Sequence, residues 1–230
     1  MLDWLVSPVT LSDGKMFQVV DEFFRDTSAF TQGLTFANGV LYESTGLYGS
    51  SSVRILDSDD GTVRQQIPMD AQYFAEGMTY YKGSLVQITW RAKKGFVYDP
   101  NDLSATPMEY DYRTTKSDEG WGITYDDDRD ELVVTDGSQN LVFWDPNCWQ
   151  TGLCEVKRSI AVQRLDGSPA MRLNEIEYWR GRIIANIWLT NIVVVINHQT
   201  GMVEKEYGES IHVPPPWNEL ALANLLGRFR

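Results

Sequence analysis

Three short stretches of the chain set a different chemical group before the same glycine: Gln32 in Phe30-Thr31-Gln32-Gly33-Leu34-Thr35, Glu76 in Phe74-Ala75-Glu76-Gly77-Met78-Thr79, and Trp121 in Glu119-Gly120-Trp121-Gly122-Ile123-Thr124. A fourth stretch, Leu173-Asn174-Glu175-Ile176-Glu177, puts Asn174 in the corresponding place. A carboxylate such as Glu76 can take up and return a proton. Between aromatic rings it is desolvated, which raises its pKa above the usual ~4.3 toward the range useful for proton transfer. Asn174 and Gln32 carry neutral amides whose N–H groups can meet a developing oxyanion or hold a polar substrate group. An indole adds an apolar wall and a face for a cation.

These groups need a scaffold that brings four distant stretches to one place. The glycines of the first three recur at intervals of about 45 residues, the length of one four-stranded propeller blade. After each opening strand comes a Gly-containing turn, a second apolar strand, a polar loop and a third strand. Gly39-Val40-Leu41-Tyr42-Glu43 is followed by Val53-Arg54-Ile55-Leu56-Asp57, and Gly83-Ser84-Leu85-Val86 by Gly95-Phe96-Val97-Tyr98-Asp99. The third and fourth repeats run likewise, through Leu141–Asp145 and Ile192–Asn197. Fourth strands, such as Thr62–Ile67 and Met202–Lys205, are more polar, as outer edges should be. The chain is therefore all-β, and positions that vary chemically inside a shared frame are where function is expected.

The blade count shapes the domain boundaries. Residues 30–208 supply four blades, and Pro214-Pro215-Pro216 ends the pattern. Phe17–Phe23 reads as a single strand in need of a partner blade, as in propellers closed by an N-terminal strand. The expected architecture is thus a five-bladed β-propeller type with the last blade incomplete: an N-terminal extension over 1–16, the propeller over 17–208 and a non-propeller tail over 209–230, in which only Asn218–Leu226 has helical spacing.

Bulk composition narrows the partners. A net charge of -12 and a pI near 4.6 argue against nucleic acid and against an anionic membrane surface. The longest uninterrupted apolar run, Ile192–Ile196, is far short of a membrane span. Met1–Gly14 has neither the basic start nor the apolar centre of a secretory signal. The acidic run Asp126, Asp127, Asp128 and Asp130 is expected to be a solvated turn before the strand Glu131–Val134. Cys148 and Cys154 have no histidine near them, which disfavours zinc and leaves a small disulfide and two free thiols equally open. His198 and His212 have no Ser or Cys in a nucleophile setting, so a Ser-His or Cys-His hydrolase is not expected.

Several motifs in order, from about Phe17 to Gly208, resemble the plant-type glutaminyl cyclases, a family of five-bladed propellers. They are Phe30–Leu34, Glu43-Ser44-Thr45-Gly46-Leu47-Tyr48-Gly49, Glu76–Thr79, Thr89-Trp90, Gly120-Trp121-Gly122, Asp136-Gly137-Ser138, and Leu173-Asn174-Glu175 with Asn186-Ile187-Trp188. The resemblance implies conversion of the N-terminal glutamine of peptides or proteins to pyroglutamate with release of ammonia, without a catalytic metal or other cofactor. It implies that Glu76 is the catalytic carboxylate, that Gln32 and Asn174 are polar catalytic-site residues, and that Phe30, Trp90, Trp121 and Trp188 line the substrate pocket. Trp90, Trp121 and Trp188 are expected in comparable places of successive repeats, and Trp144, Trp149 and Trp179 in ordinary core. A lysine that the family draws from its final blade has no counterpart after Gly208. The family also implies the secretory pathway or extracellular space, and a monomer is expected. Two other expectations compete: a calcium-dependent propeller lactonase or hydrolase recruiting Glu43, Glu76, Asp136 and Asn174, and a decayed propeller that only binds peptides.

Overall fold

The computed structural model describes residues 26–208 together with the strand residues Val9–Thr10 (β1) and Met16–Phe17 (β2). Four blades are seen. The first is β3 (Thr31–Ala37), β4 (Val40–Thr45), β5 (Ser52–Leu56) and β6 (Val63–Pro68). The second is β7 (Ala75–Tyr81), β8 (Ser84–Thr89), β9 (Lys94–Tyr98) and β10 (Met108–Tyr112). The third is β11 (Ile123–Asp126), β12 (Glu131–Val134), β13 (Asn140–Trp144) and β15 (Arg158–Ala161), and the fourth is β16 (Leu173–Trp179), β17 (Arg182–Ile187), β18 (Val193–Asn197) and β19 (Met202–Tyr207). Within each blade consecutive strands pair antiparallel.

The cores lie between blades, and strand alternation explains why. On β12, Leu132 and Val134 point into a cluster with Val86, Ile88, Tyr110 and Tyr112 of the second blade. Val133, between them, points the other way, into a cluster with Ile176, Ile183, Ala185 and Val194 of the fourth. A strand buried on both faces must be apolar at every position, which is why Leu132-Val133-Val134 does not alternate. All three are fully buried, and each such side chain contributes roughly 1.5–3 kcal/mol. Tyr42 and Val53 meet Met78, Leu85 and Phe96 in the same way between the first two blades. Trp144 is buried core as expected, while Trp149 and Trp179 pack at cluster margins.

The described residues contain four blades. The inner strands pack in succession, β3 on β7, β7 on β11 and β11 on β16, and β16 has no comparable packing on β3. Two expectations need correction. Met16–Phe17 pairs with Val9–Thr10 rather than with a blade, and residues 18–23 lie outside the described residues, as do His212 and the tail. Asp126 is not a solvated turn residue. It is fully buried, its Oδ1 accepts from the amides of Asp128 and Arg129, and its Oδ2 lies 3.2 Å from Nδ1 of buried His198, joining the third blade to the fourth. Asp127, Asp128 and Asp130 are exposed.

The two cysteines form a disulfide with Cα atoms 4.7 Å apart. It closes an excursion of the third blade, a 3-10 turn at Cys148–Thr151 followed by β14 (Leu153–Cys154), and β14 pairs parallel with β10. The excursion thereby covers the outer edge of the second blade, which would otherwise present unpaired backbone groups.

Candidate active site

Gln32, Glu76 and Asn174 all stand at breaks in strand register. The pairing of β3 with β4 slips between Thr31 and Gly33, that of β7 with β8 between Ala75 and Met78, and that of β16 with β17 between Leu173 and Ile176. A bulge adds an unpaired residue, bends the strand and re-aims its side chain. In the third blade β11 begins only at Ile123, so Trp121 precedes the ladder altogether. The four openings are thus irregular at the same point, and the three polar residues are 6–8% exposed.

Glycine lets these openings approach one another. A Cβ on Gly33 would lie 2.6 Å from the amide nitrogen of Met78, one on Gly77 would lie 2.8 Å from Cα of Gly122, and one on Gly122 would lie 2.3 Å from the carbonyl oxygen of Asn174. No side chain fits at such contacts. The openings therefore stack in sequence around the inner end of the blades, Gly33 on Gly77, Gly77 on Gly122 and Gly122 on Asn174-Glu175.

Hydrogen bonds across blade boundaries fix this arrangement. Ser44 Oγ donates to the Glu76 carbonyl at 2.5 Å and accepts from Gln87 Nε2 at 2.8 Å, and Tyr98 donates to the other end of the Gln87 amide. The Gly77 amide donates to the Trp121 carbonyl at 2.8 Å. Thr135 Oγ1 accepts from the Gly122 amide and donates to the Asn174 carbonyl at 2.6 Å. The second, third and fourth openings are thus each held by a neighbouring blade.

The aromatic residues form two connected groups, half-buried except for the exposed Tyr48. Phe74 meets Phe30, Tyr48 and Trp90 edge-on, with ring centroids 6.0, 5.5 and 5.6 Å apart. Trp121 meets Trp188 edge-on at 5.4 Å. The three tryptophans are not equivalent, contrary to expectation. Trp90 and Trp188 follow the second strands of their blades, where their amides donate to the carbonyls of Phe74 and Arg172, whereas Trp121 occupies the opening position shared with Gln32 and Glu76. They nevertheless fall on the same side of the blades as the polar residues, because strand start and neighbouring strand end are adjacent in an antiparallel pair.

Two acids that the sequence did not single out sit here. Glu175 stands where the other openings have glycine, and its Oε2 packs against Gly77 and Gly122. Both of its oxygens are sealed from solvent; the amides of Ile176 and Leu34 lie near them and oppose its upward shift, but neither meets them in good hydrogen-bond geometry. Burial, with Glu177 and Glu76 nearby, pushes its carboxyl well above the usual carboxylate range. Glu177, two residues along the same strand, accepts from Thr124 Oγ1 at 3.2 Å and is pushed up to about 8 by burial. A carboxylate in a row of glycines was the available signal for Glu175. Glu119, a third acid missed, is placed by contacts between blades that no spacing announces.

The ion site considered for a lactonase draws on residues that are already engaged. Glu43 accepts from Thr31 Oγ1 at 2.5 Å and lies 3.6 Å from Arg54, and Asp136 Oδ2 accepts from Thr115 and Lys116 while its Oδ1 accepts from Ser138. Glu43 thereby ties β4 to β3 and β5, and Asp136 ties its own loop to the segment at Thr115 and Lys116.

The sequence profile of the glutamine cyclotransferase family matches residues 8–212. The chain belongs to the glutamine cyclotransferase family. It is 38% identical over 186 residues to a glutaminyl-peptide cyclotransferase of Arabidopsis thaliana, an alignment covering 80% of this chain and 54% of that protein. The chain thus spans about half the length of this curated relative. Its fold matches the crystal structure of Myxococcus xanthus glutaminyl cyclase with a TM-score of 0.70 at 29% identity, over 82% of this chain and 75% of that one. The Pan2 WD40 domain of Neurospora crassa matches at a TM-score of 0.50 and 10% identity, a likeness of fold alone. The match to the glutamine cyclotransferase family takes in all four openings and both aromatic groups.

Proposed function

We propose that the chain is a glutaminyl-peptide cyclotransferase, acting on peptides or proteins that begin with glutamine. What supports this reading is that Glu76, Gln32 and Asn174 stand at register breaks on the side of the blades where Phe30, Trp90, Trp121 and Trp188 lie, in a chain of the glutamine cyclotransferase family. In the reaction the α-amine attacks the side-chain amide carbon of its own residue, which closes the ring and turns the carbonyl oxygen into an oxyanion, and ammonia leaves as that oxyanion collapses back to a carbonyl. The protein must fold the substrate back, stabilise that oxygen and move one proton from the attacking amine to the departing nitrogen. Glu76 takes the proton and returns it. Asn174 donates to the oxyanion, Gln32 holds the substrate amide, and the aromatic rings surround the apolar stem and face the amine.

The four described blades are in keeping with a five-bladed plan, because β16 and β3 lack the packing that the other neighbouring inner strands share. Assay of ammonia release from a Gln-initiated dipeptide tests the function directly. Steady release and a product lacking a free amine are expected. A chain that binds the dipeptide without releasing ammonia would leave only the peptide-binding reading.

A further inference from the structure

Ring contacts leave the aromatic lining in two pieces, Phe30–Phe74–Trp90 from the first two blades and Trp121–Trp188 from the third and fourth. One side chain joins them. Oε2 of Glu119 accepts the indole N–H of Trp90 at 3.2 Å and that of Trp121 at 3.1 Å. An indole has a single donor, so each tryptophan commits its whole hydrogen-bonding capacity to this oxygen. Oε1 of the same carboxylate accepts from Arg91 Nε at 3.2 Å, and the Arg91 guanidinium lies over the Trp90 ring, 3.8 Å from its centroid.

The Glu119 backbone is itself fixed. Thr114 Oγ1 donates to its carbonyl at 2.8 Å, its amide donates to Lys116, and the next amide, of Gly120, donates to the Trp90 carbonyl at 3.0 Å. Gly120 has no room for a side chain, since a Cβ would lie 2.6 Å from the Tyr112 hydroxyl. The carboxylate is therefore presented from a pinned loop, and its hydrogen bonds to neutral donors are charge-assisted.

We propose that Glu119 is a positioning residue of the site: its carboxylate clamps Trp90 and Trp121 to each other and sets the width of the aromatic lining between the second and third blades. Its effect on turnover rests on the cyclase reading above. The clamp itself does not. A carboxylate accepts on both oxygens, whereas a glutamine has one accepting oxygen: with that oxygen on the two indoles its NH2 meets the Arg91 Nε–H, with it on Arg91 its NH2 meets the indoles, and in either case the bonds to the indoles lose their charge assistance.

The test is Glu119→Gln, read by the indole N–H resonances of the chain's eight tryptophans, with Trp90→Phe and Trp121→Phe used for assignment. Both the Trp90 and Trp121 signals should move and exchange faster with water while the other six stay. Loss of the charge assistance should raise KM for a Gln-initiated dipeptide about 10-fold with kcat within about threefold. Unmoved resonances would overturn the clamp, and moved resonances with unchanged KM would overturn its role in the site. If Glu119→Gln does not fold, Trp121→Phe replaces it: with one donor removed, the Trp90 resonance should shift, and a fixed one counts against the proposal. Should the parent chain release no ammonia, the cyclase reading fails and the resonances alone decide the clamp.

Discussion

The Ser44 hydroxyl, on the second strand of the first blade, donates to the main-chain carbonyl of Glu76 at the bulge of the second. The side chain proposed to move the proton is thus set by a residue from the neighbouring blade, and that residue is oriented in turn by Gln87 and Tyr98. Removing the hydroxyl takes away a donor to the Glu76 carbonyl and the acceptor for Gln87 Nε2 in a buried place. Ser44→Ala should cost about 1–3 kcal/mol of stability, the usual penalty for disrupting buried hydrogen bonds. Urea unfolding followed by far-UV circular dichroism checks it. A midpoint equal to that of the parent would mean that the bulge does not depend on Ser44.

Glu76→Gln keeps the shape of the side chain and removes its ability to take a proton. On the proposed mechanism kcat for ammonia release should fall by about 10²–10⁴-fold, the usual contribution of a positioned general acid–base. KM should change little, because the substrate is held by Gln32 and the aromatic rings. Retained turnover in the variant would remove Glu76 from its role, whatever became of the family assignment.

Much of this was legible in the sequence, for a physical reason. Propeller blades repeat because each buries its faces only against its neighbours, so the openings, the continuous apolar strands such as Leu132–Val134 and the polar outer strand β6 could all be read from one blade to the next. Gln32, Glu76 and Asn174 stood out as chemical differences within that frame. What could not be read was contact between blades. Asp126 looks solvated in its acidic run, but its burial depends on His198, whose place in the fourth blade the run does not reveal. The pairing of β14 with β10 and the convergence of two indoles on Glu119 are likewise long-range contacts with no local periodicity to mark them.

The disulfide offers a separable test of the excursion. Cys148–Cys154 closes a short loop, and in the chain-entropy account opening so small a loop costs about 2 kcal/mol. Reduction, or Cys148→Ser with Cys154→Ser, should lower the unfolding midpoint accordingly and release β14 from β10. Amide exchange at Asp111 and Arg113, whose N–H groups donate to the carbonyls of Gly152 and Cys154, should then quicken while that of Val133 does not. Unchanged protection at both amides would show that the strand holds its place without the bridge.

The buried acids predict how stability follows pH. Glu175 and Glu177 both have carboxyls raised in the folded state, Glu177 to about 8. A carboxyl raised in this way contributes its full stability below its unfolded pKa near 4.5. As pH climbs toward the folded value, the unfolded chain loses its proton first and that stability is lost. His198 acts in the opposite sense. Burial lowers its pKa, with Asp126 opposing and Arg129 and Arg158 reinforcing the shift, so its contribution is present above about 6.5 and declines as pH falls. Two raised acids against one lowered histidine should leave the parent less stable at pH 8 than at pH 5.5. Glu177→Gln keeps an acceptor for Thr124 and cannot ionise, so it should gain roughly 2–4 kcal/mol on the parent between those two pH values, at ~1.4 kcal/mol per pKa unit discounted for its partial exposure. Urea midpoints of both proteins at the two pH values measure the difference directly. An equal gap at both would mean that Glu177 titrates as an ordinary solvated carboxyl.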